Sequence, residues 1–104
     1  MPEFTVKVDG DKMTDVTLHS KDRVPFPVPG AKFKGGKTLE RAAGDYVILC
    51  ITQFGEAKKK VTCTITGANN SKRETSGTIS GKKGELGKLT LPCDFRLTES
   101  GEVL

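Results

Sequence analysis

The side chains most able to do chemistry are few: the cysteines Cys50, Cys63 and Cys93, and the single histidine, His19. A serine or cysteine nucleophile needs a positioned base and a third group that orients the base. No nucleophile motif lies near His19 in the sequence, and these residues lack the paired spacing of a zinc site. We therefore expect a protein that is not an enzyme and that holds no metal and no cofactor.

Two short motifs look like ion-binding or phosphate-binding loops. The acids of DGDKMTD, residues 9–15, resemble part of a calcium loop but lack its glycine placement and terminal glutamate. GGKT, residues 35–38, resembles the end of a phosphate loop, but no parallel βαβ unit surrounds it. Both motifs are therefore interpreted as turns.

Basic residues are the stronger candidates for a binding surface. The chain has 17 lysines and arginines against 13 acids, which gives a net charge of +4. This charge favours an anionic partner only if the basic residues converge on one surface; otherwise it is typical of an ordinary solvated surface. With no tryptophan, one tyrosine and five phenylalanines, mostly at inward positions, we expect phosphate-backbone contacts rather than base stacking. The candidate contacts are Lys34, Lys37, Arg41, Lys58, Lys59, Lys60, Lys82 and Lys83.

The elements that must position these residues are strands, because apolar residues recur with a period of two along most of the chain. Residues 4–8 and 16–18 alternate on either side of a turn at residues 9–10, which predicts a strand and a return strand. Residues 38–45, TLERAAGD, are expected to form one helical turn. RETSGTIS, residues 73–80, predicts a weak, polar strand.

The centre of the predicted sheet is YVILCIT, residues 46–52, which is apolar on both faces and is expected to be covered on both sides. VTCTIT, residues 61–66, is predicted to return beside it as a hairpin. The predicted register places Cys50 opposite Cys63, Ile48 opposite Ile65 and Thr52 opposite Val61. All three cysteines are expected to be buried free thiols, with a disulfide between Cys50 and Cys63 as the alternative in an oxidising setting.

Two segments are predicted to lie at sheet edges. In VPFPVPG, residues 24–30, alternate prolines remove backbone donors, so this segment cannot be a central strand and is expected to run extended, as an edge strand or a crossing connection. Val24, Phe26 and Val28 are its candidate contacts with a partner that adds a strand. The last strand, residues 89–97, contains Pro92, which indicates a second edge or a bulge.

These patterns predict an all-β fold: a single domain over residues 1–104, formed as an antiparallel β-sandwich of about seven strands. The alternative is a small SH3-like barrel. Residues 98–104 are expected to be either an ordered end or a flexible tail. No apolar run approaches the roughly 18 residues of a membrane span, no secretory signal is visible, and an odd number of cysteines favours the cytoplasm.

One motif resembles the immunoglobulin-like and fibronectin-like sandwiches. LERAAGDYVILCIT, residues 39–52, is similar to the leucine–glycine–tyrosine entry to their penultimate strand. The resemblance implies that the sandwich is of immunoglobulin-like type and that the Tyr46 hydroxyl hydrogen-bonds back to the preceding turn, as in a tyrosine corner.

A second motif, GGKTLERAAGDYV, residues 35–47, is similar to the SH3-like domain of a family of large-subunit ribosomal proteins. That resemblance implies that Lys37 and Arg41 lie near RNA.

The function expected from the sequence is that of a non-enzymatic binding or assembly module. It would recognise a protein or a glycan through loops or an edge strand. The alternative is binding of a nucleic-acid backbone, RNA in particular, through the lysine-rich tips. The oligomeric state is not predicted.

Overall fold

The described chain is a sandwich of two antiparallel sheets with four strands each. The computed structural model describes residues 1–10, 13–20, 26–28, 33 and 35–104. The strands are β1 (Glu3–Asp9), β2 (Thr14–Ser20), β3 (Phe26–Val28), β4 (Lys37–Glu40), β5 (Gly44–Glu56), β6 (Lys60–Thr66), β7 (Lys72–Thr78) and β8 (Leu86–Leu97). The first sheet has the order β4-β1-β6-β7 and the second the order β3-β2-β5-β8. The prediction of an all-β sandwich is confirmed.

The core lies between the sheets because each strand alternates apolar and polar residues. In the first sheet, β1 and β6 each turn every second side chain inward, and the other side chains of these strands are exposed or half-buried. In the second sheet, β2, β5 and β8 supply the facing side. Fully buried members from the two sides include Val6, Ile65, Val16, Ile48 and Leu97.

The predicted hairpins are wrong, because β1 and β2, like β5 and β6, lie in different sheets. β5 and β6 lie in opposite sheets, so Cys50 and Cys63 face each other across the core instead of pairing along one sheet. β5 is flanked by β2 and β8, and both of its hydrogen-bonding edges are therefore occupied. β6 pairs with β1 instead, with Val8 opposite Cys63. The turn after β1 likewise leads to a strand in the other sheet.

The helical turn predicted at residues 38–45 is also wrong. Residues 37–40 form β4, which pairs with the start of β1 and sets Leu39 opposite Phe4. The physical reason is burial: Leu39 is 8% exposed, and its neighbours Thr38 and Glu40 point to solvent. One inward apolar residue flanked by two polar ones is compatible with a short edge strand as well as with a helical turn, so the sequence pattern does not distinguish the two.

Both predicted edges are observed. β8, which contains Pro92, is the edge of the second sheet, and β3 is its other edge. Phe26 and Val28 belong to β3, whereas Val24 lies outside the described residues. After β8 the chain turns back on itself, and Val103 pairs with Leu97.

Tyr46 makes the contact that the first resemblance implies. Its hydroxyl donates a hydrogen bond to the carbonyl oxygen of Ala42 at 2.6 Å, and its ring stacks on Phe95 with a centroid separation of 5.6 Å. The outer face of β5 is less covered than expected, because Val47 and Ile51 are only half-buried. The described part of the chain holds no helix with the length and apolar character that a membrane span requires.

Candidate binding site at one end of the sandwich

Two lysine-rich loops meet at the end of the sandwich where β5 and β7 finish. The Lys58 backbone N–H donates to the carbonyl oxygen of Ile79 at 2.8 Å, and the Ile79 N–H donates to the carbonyl oxygen of Lys59 at 2.9 Å. The Ala57 N–H donates to the carbonyl oxygen of Glu85 at 3.1 Å. These bonds join the loop after β5 to the loop after β7, so the lysines of both loops lie at one end.

The basic end is defined here as six lysines in or beside these loops. In residues 54–60 and 80–88 there are six lysines and two glutamates, Glu56 and Glu85. All six lysines are exposed, and they outnumber the two glutamates three to one. The basic end therefore carries excess positive charge that can be satisfied by an anion. Its members are Lys58, Lys59, Lys60, Lys82, Lys83 and Lys88.

The other predicted cationic contacts lie elsewhere. Lys37 is on the edge strand β4, with its ammonium group 5.9 Å from the centroid of the Phe33 ring. Arg41 lies at the opposite end, where its backbone N–H donates to the carbonyl oxygen of Pro2 and its guanidinium to that of Glu40. Lys34 is outside the described residues. The structure therefore unites five of the eight predicted residues.

Phe54 is a feature of this end that the sequence pattern did not reveal. Even-numbered side chains of β5 point inward as far as Thr52, and simple alternation would bury Phe54. A bulge between Thr52 and Gly55 shifts the register, so Gly55 points inward and Phe54 is 59% exposed. A bulge re-aims the side chains of the strand that carries it. The signal available in the sequence was Gly55, a residue that often marks bulges.

The edge strands are poorly suited to accept a partner strand. Along the outward side of β8, the Lys88 carbonyl oxygen accepts from Ser80, and Arg96 exchanges two backbone hydrogen bonds with Leu104. The Asp94 carbonyl oxygen accepts from the Arg73 side chain at 3.1 Å. At the other edge, β3 places Pro27 opposite Thr17, and a proline offers no N–H to an added strand. The loops are therefore better placed for recognition than the edges.

The three cysteines meet in the core, which the burial prediction did not specify. All are free and buried. Cys63 of β6 is hydrogen-bonded to Cys50 and to Cys93 across the two sheets, and the Thr75 hydroxyl donates to Cys93 Sγ at 3.3 Å. The cluster thus links both sheets through side chains that no solvent reaches.

The three thiols differ in pKa because they are hydrogen-bonded to one another. Hydrogen bonds with Cys50 and Cys93, together with burial, raise the pKa of the Cys63 thiol. The hydrogen bond from Cys63 lowers the pKa of Cys50. It also lowers the pKa of Cys93 to about 6 against the opposing effect of burial, and Thr75 and Arg73 act in the same direction as Cys63.

His19 is placed away from these thiols. Its Nε2 lies 2.7 Å from the Thr17 hydroxyl oxygen, on the outer face of the second sheet, whereas the cysteines lie inside. Within the described residues, no group of three or more histidine, cysteine, aspartate or glutamate side chains is arranged to hold a metal ion.

The strongest site in the described chain is therefore the basic end, with exposed Phe54 beside it and loops fixed by backbone hydrogen bonds. Its geometry suits a non-covalent partner that carries negative charge. The chain matches no model of a known protein family, no curated protein sequence and no solved structure.

Proposed function

We propose that the protein is a non-enzymatic binding module whose recognition surface is the basic end, and that its partner is the phosphate backbone of a nucleic acid. The observation that carries the proposal is the pair of reciprocal hydrogen bonds between the loops at Lys58, Lys59 and Ile79. They turn two lysine clusters, distant in sequence, into one cationic surface. Phosphates attract such surfaces through charge and counterion release.

Loops on a rigid scaffold suit this role. The loops of the basic end are anchored on both sides, because the Ser80 N–H also donates to the carbonyl oxygen of Lys88 at 2.9 Å. Cations held by a fixed backbone lose less conformational entropy on binding than cations on a free tail. A protein or glycan partner at the same loops is the competing proposal, and the binding experiment separates the two.

Kinship with immunoglobulin-like sandwiches is part of the proposal, and strand order supports it. In those folds the sheet that carries the tyrosine corner has the order C′-C-F-G, and β3-β2-β5-β8 follows that order if β5 is strand F. Tyr46 then lies at the E–F corner. β4 and β1 take the places of strands E and B, and β6 takes the place of strand A. By this mapping the basic end corresponds to the end that carries the B–C and F–G loops.

The experiment is a binding titration of structured RNA and duplex DNA at two salt concentrations. We expect affinity that falls steeply as salt rises. The triple variant Lys58→Gln, Lys59→Gln, Lys60→Gln should weaken binding by roughly ten- to a hundredfold. It should also reduce the slope of log K against log[salt] by about one for each phosphate that the variant no longer neutralises.

The matched control removes three charges elsewhere. Lys7→Gln, Arg41→Gln and Lys72→Gln change the net charge equally but leave the basic end intact, and we expect them to have little effect. Equal weakening in both triple variants would show a general charge effect and contradict the site. Absence of binding at low salt would overturn the nucleic-acid proposal and favour a protein or glycan partner.

A further inference from the structure

The outer surface beside the basic end carries an aromatic ring and a cation on neighbouring strands. The β5–β8 register pairs Thr52 with Leu89 and Gly55 with Gly87, so the bulge leaves Gln53 and Phe54 together opposite Lys88. The side chains of Phe54 and Lys88 are both exposed. A ring and an ammonium group on neighbouring strands match the two parts of a nucleotide, its base and its phosphate.

We propose that the preferred ligand of the basic end is single-stranded nucleic acid, with one unpaired base stacked on Phe54 and an adjacent phosphate held by Lys88. This inference rests on the proposed function and narrows it. Duplex DNA offers phosphates but keeps its bases paired, so it can use the lysines and not the ring. A single strand uses both, because every base has a face that stacks on an aromatic side chain.

The bulge is what makes Phe54 available. Simple alternation along β5 would direct residue 54 into the core, as it does Cys50 and Thr52. The shift instead buries Gly55 and leaves a large apolar ring 59% exposed. An exposed phenylalanine loses the hydrophobic stabilisation that burial would supply, and a stacked base would restore part of it.

A lipid surface is the competing partner, because Leu86 is also exposed, at 70%. The surroundings favour the base. Glu56 pairs with Leu86, and Glu85 precedes it in the chain. Insertion of Leu86 into a bilayer would carry both carboxylates toward the apolar interior and strip water from them, which contact with a nucleic acid at the surface does not require. A base on Phe54 leaves them in water.

The chain provides a clean reporter, because it contains no tryptophan. In Phe54→Trp the new indole is the sole tryptophan, and its fluorescence reports on that position alone. We expect quenching when an oligothymidylate of about 12 nucleotides is added and no quenching with a hairpin duplex at equal occupancy. Circular dichroism and thermal melting confirm that each variant remains folded.

Affinities complete the test. Phe54→Ala should weaken single-strand binding by roughly tenfold or more and leave duplex binding and the salt slope unchanged. Lys88→Gln should weaken binding of both forms and lower both salt slopes. Phe54→Leu keeps an apolar side chain without a ring, and it should behave like Phe54→Ala.

The outcomes separate the two proposals. Single-strand affinity unchanged in Phe54→Ala, together with weaker binding of both forms by the Lys58–Lys60 triple variant, would overturn stacking and leave the proposed function standing. No binding of either form at low salt would overturn both. A blue shift of the tryptophan with vesicles containing anionic phospholipid, and no response to oligonucleotides, would assign the surface to lipid instead.

Discussion

Cys63 sits where three strands bring thiols to one point, and its protonation is coupled to the fold. The Cys63 thiol lies in a core from which water is excluded, and its hydrogen bonding with Cys50 and Cys93 raises its pKa. An unfolded chain offers the same side chain to water, where a cysteine ionises near pH 8.5. Folding therefore keeps a proton that the unfolded chain releases in alkaline solution.

This difference predicts that stability falls at alkaline pH. The folded pKa of Cys63 is raised, so its contribution is fully present below about pH 8.5 and is lost as pH rises above that value. The loss should approach about 1.4 kcal/mol per pH unit. Between pH 7 and about pH 8.5 the lowered pKa values of Cys50 and Cys93 act in the opposite direction, so the change is measured above that range, by urea unfolding of the reduced protein at about pH 9 and pH 10.5.

Ultraviolet absorbance of the thiolate gives an independent check on that prediction. At the higher pH, unfolding should increase the thiolate signal, whereas at neutral pH it should not. A folded protein whose three cysteines are all thiolates at the higher pH would contradict the assignment.

Tyr46 provides a second residue-scale prediction. Tyr46→Phe removes the hydroxyl that donates to Ala42 at 2.6 Å and keeps the ring that stacks on Phe95. The expected loss is about 1 kcal/mol of unfolding free energy, as for a typical hydrogen bond. Denaturant midpoints measure it, and Tyr46→Leu, which also removes the stack, should lose more. Equal stability of Tyr46→Phe and the wild type would show that the corner bond contributes nothing.

At the scale of elements, the start of β8 and the loop before it are held by a very close approach. A Cβ added at Gly87 would overlap the carbonyl oxygen of Ser80 and lie 3.0 Å from Ile79 Cγ2. The Ser80 hydroxyl also donates to the carbonyl oxygen of Lys88 at 2.8 Å. Glycine at position 87 therefore allows the loop of the basic end to close onto β8.

Gly87→Ala should separate the loop from β8 and lower the unfolding free energy by more than about 1 kcal/mol, because backbone atoms must move. We also expect weaker nucleic-acid binding, because the lysines of the two loops would no longer be held together. The matched control is Gly35→Ala, whose added Cβ would meet nothing within 4 Å. Wild-type stability and affinity in Gly87→Ala would contradict this role.

Most strands could be predicted from the period-two pattern, but their partners could not. The alternation in β1 and in β6 identifies an inward face without saying which strand lies alongside. β5 and β6 are neighbours in sequence and apolar enough to form a hairpin, yet β8 occupies the edge of β5 that β6 would need. β4 escapes prediction because four residues with one apolar position are too short to show a period.

The residues of the candidate site could be predicted from the sequence, but their positions relative to one another could not. Lysine tips are visible in the sequence because they flank turn signals, but their convergence depends on long-range hydrogen bonds such as that between Lys58 and Ile79. Phe54 was hidden because a bulge reverses the alternation on which inward and outward assignments rest.

At the scale of the whole molecule, the order of strands predicts slow folding. Five of the seven connections between successive strands of the described chain cross from one sheet to the other, so few native contacts can form locally. All-β folds of this kind refold in milliseconds to seconds. The fluorescence of Tyr46, the only tyrosine in a chain without tryptophan, follows refolding in a stopped-flow instrument. Refolding within microseconds would contradict this expectation.

The contacts along the free side of β8 have a consequence for the behaviour of concentrated solutions. An open strand edge is a template on which a second copy can add, and repeated addition leads to fibres. Here Ser80, Arg73 and Leu104 occupy backbone groups along that edge, and Pro92 lacks a donor between them. These contacts lie on either side of Thr90, at Lys88 and from Asp94 to Arg96. Removal of residues 98–104 would free the backbone groups of Arg96 that now bond to Leu104. We expect the shortened protein to aggregate more readily, because a second copy could then pair with that end of β8.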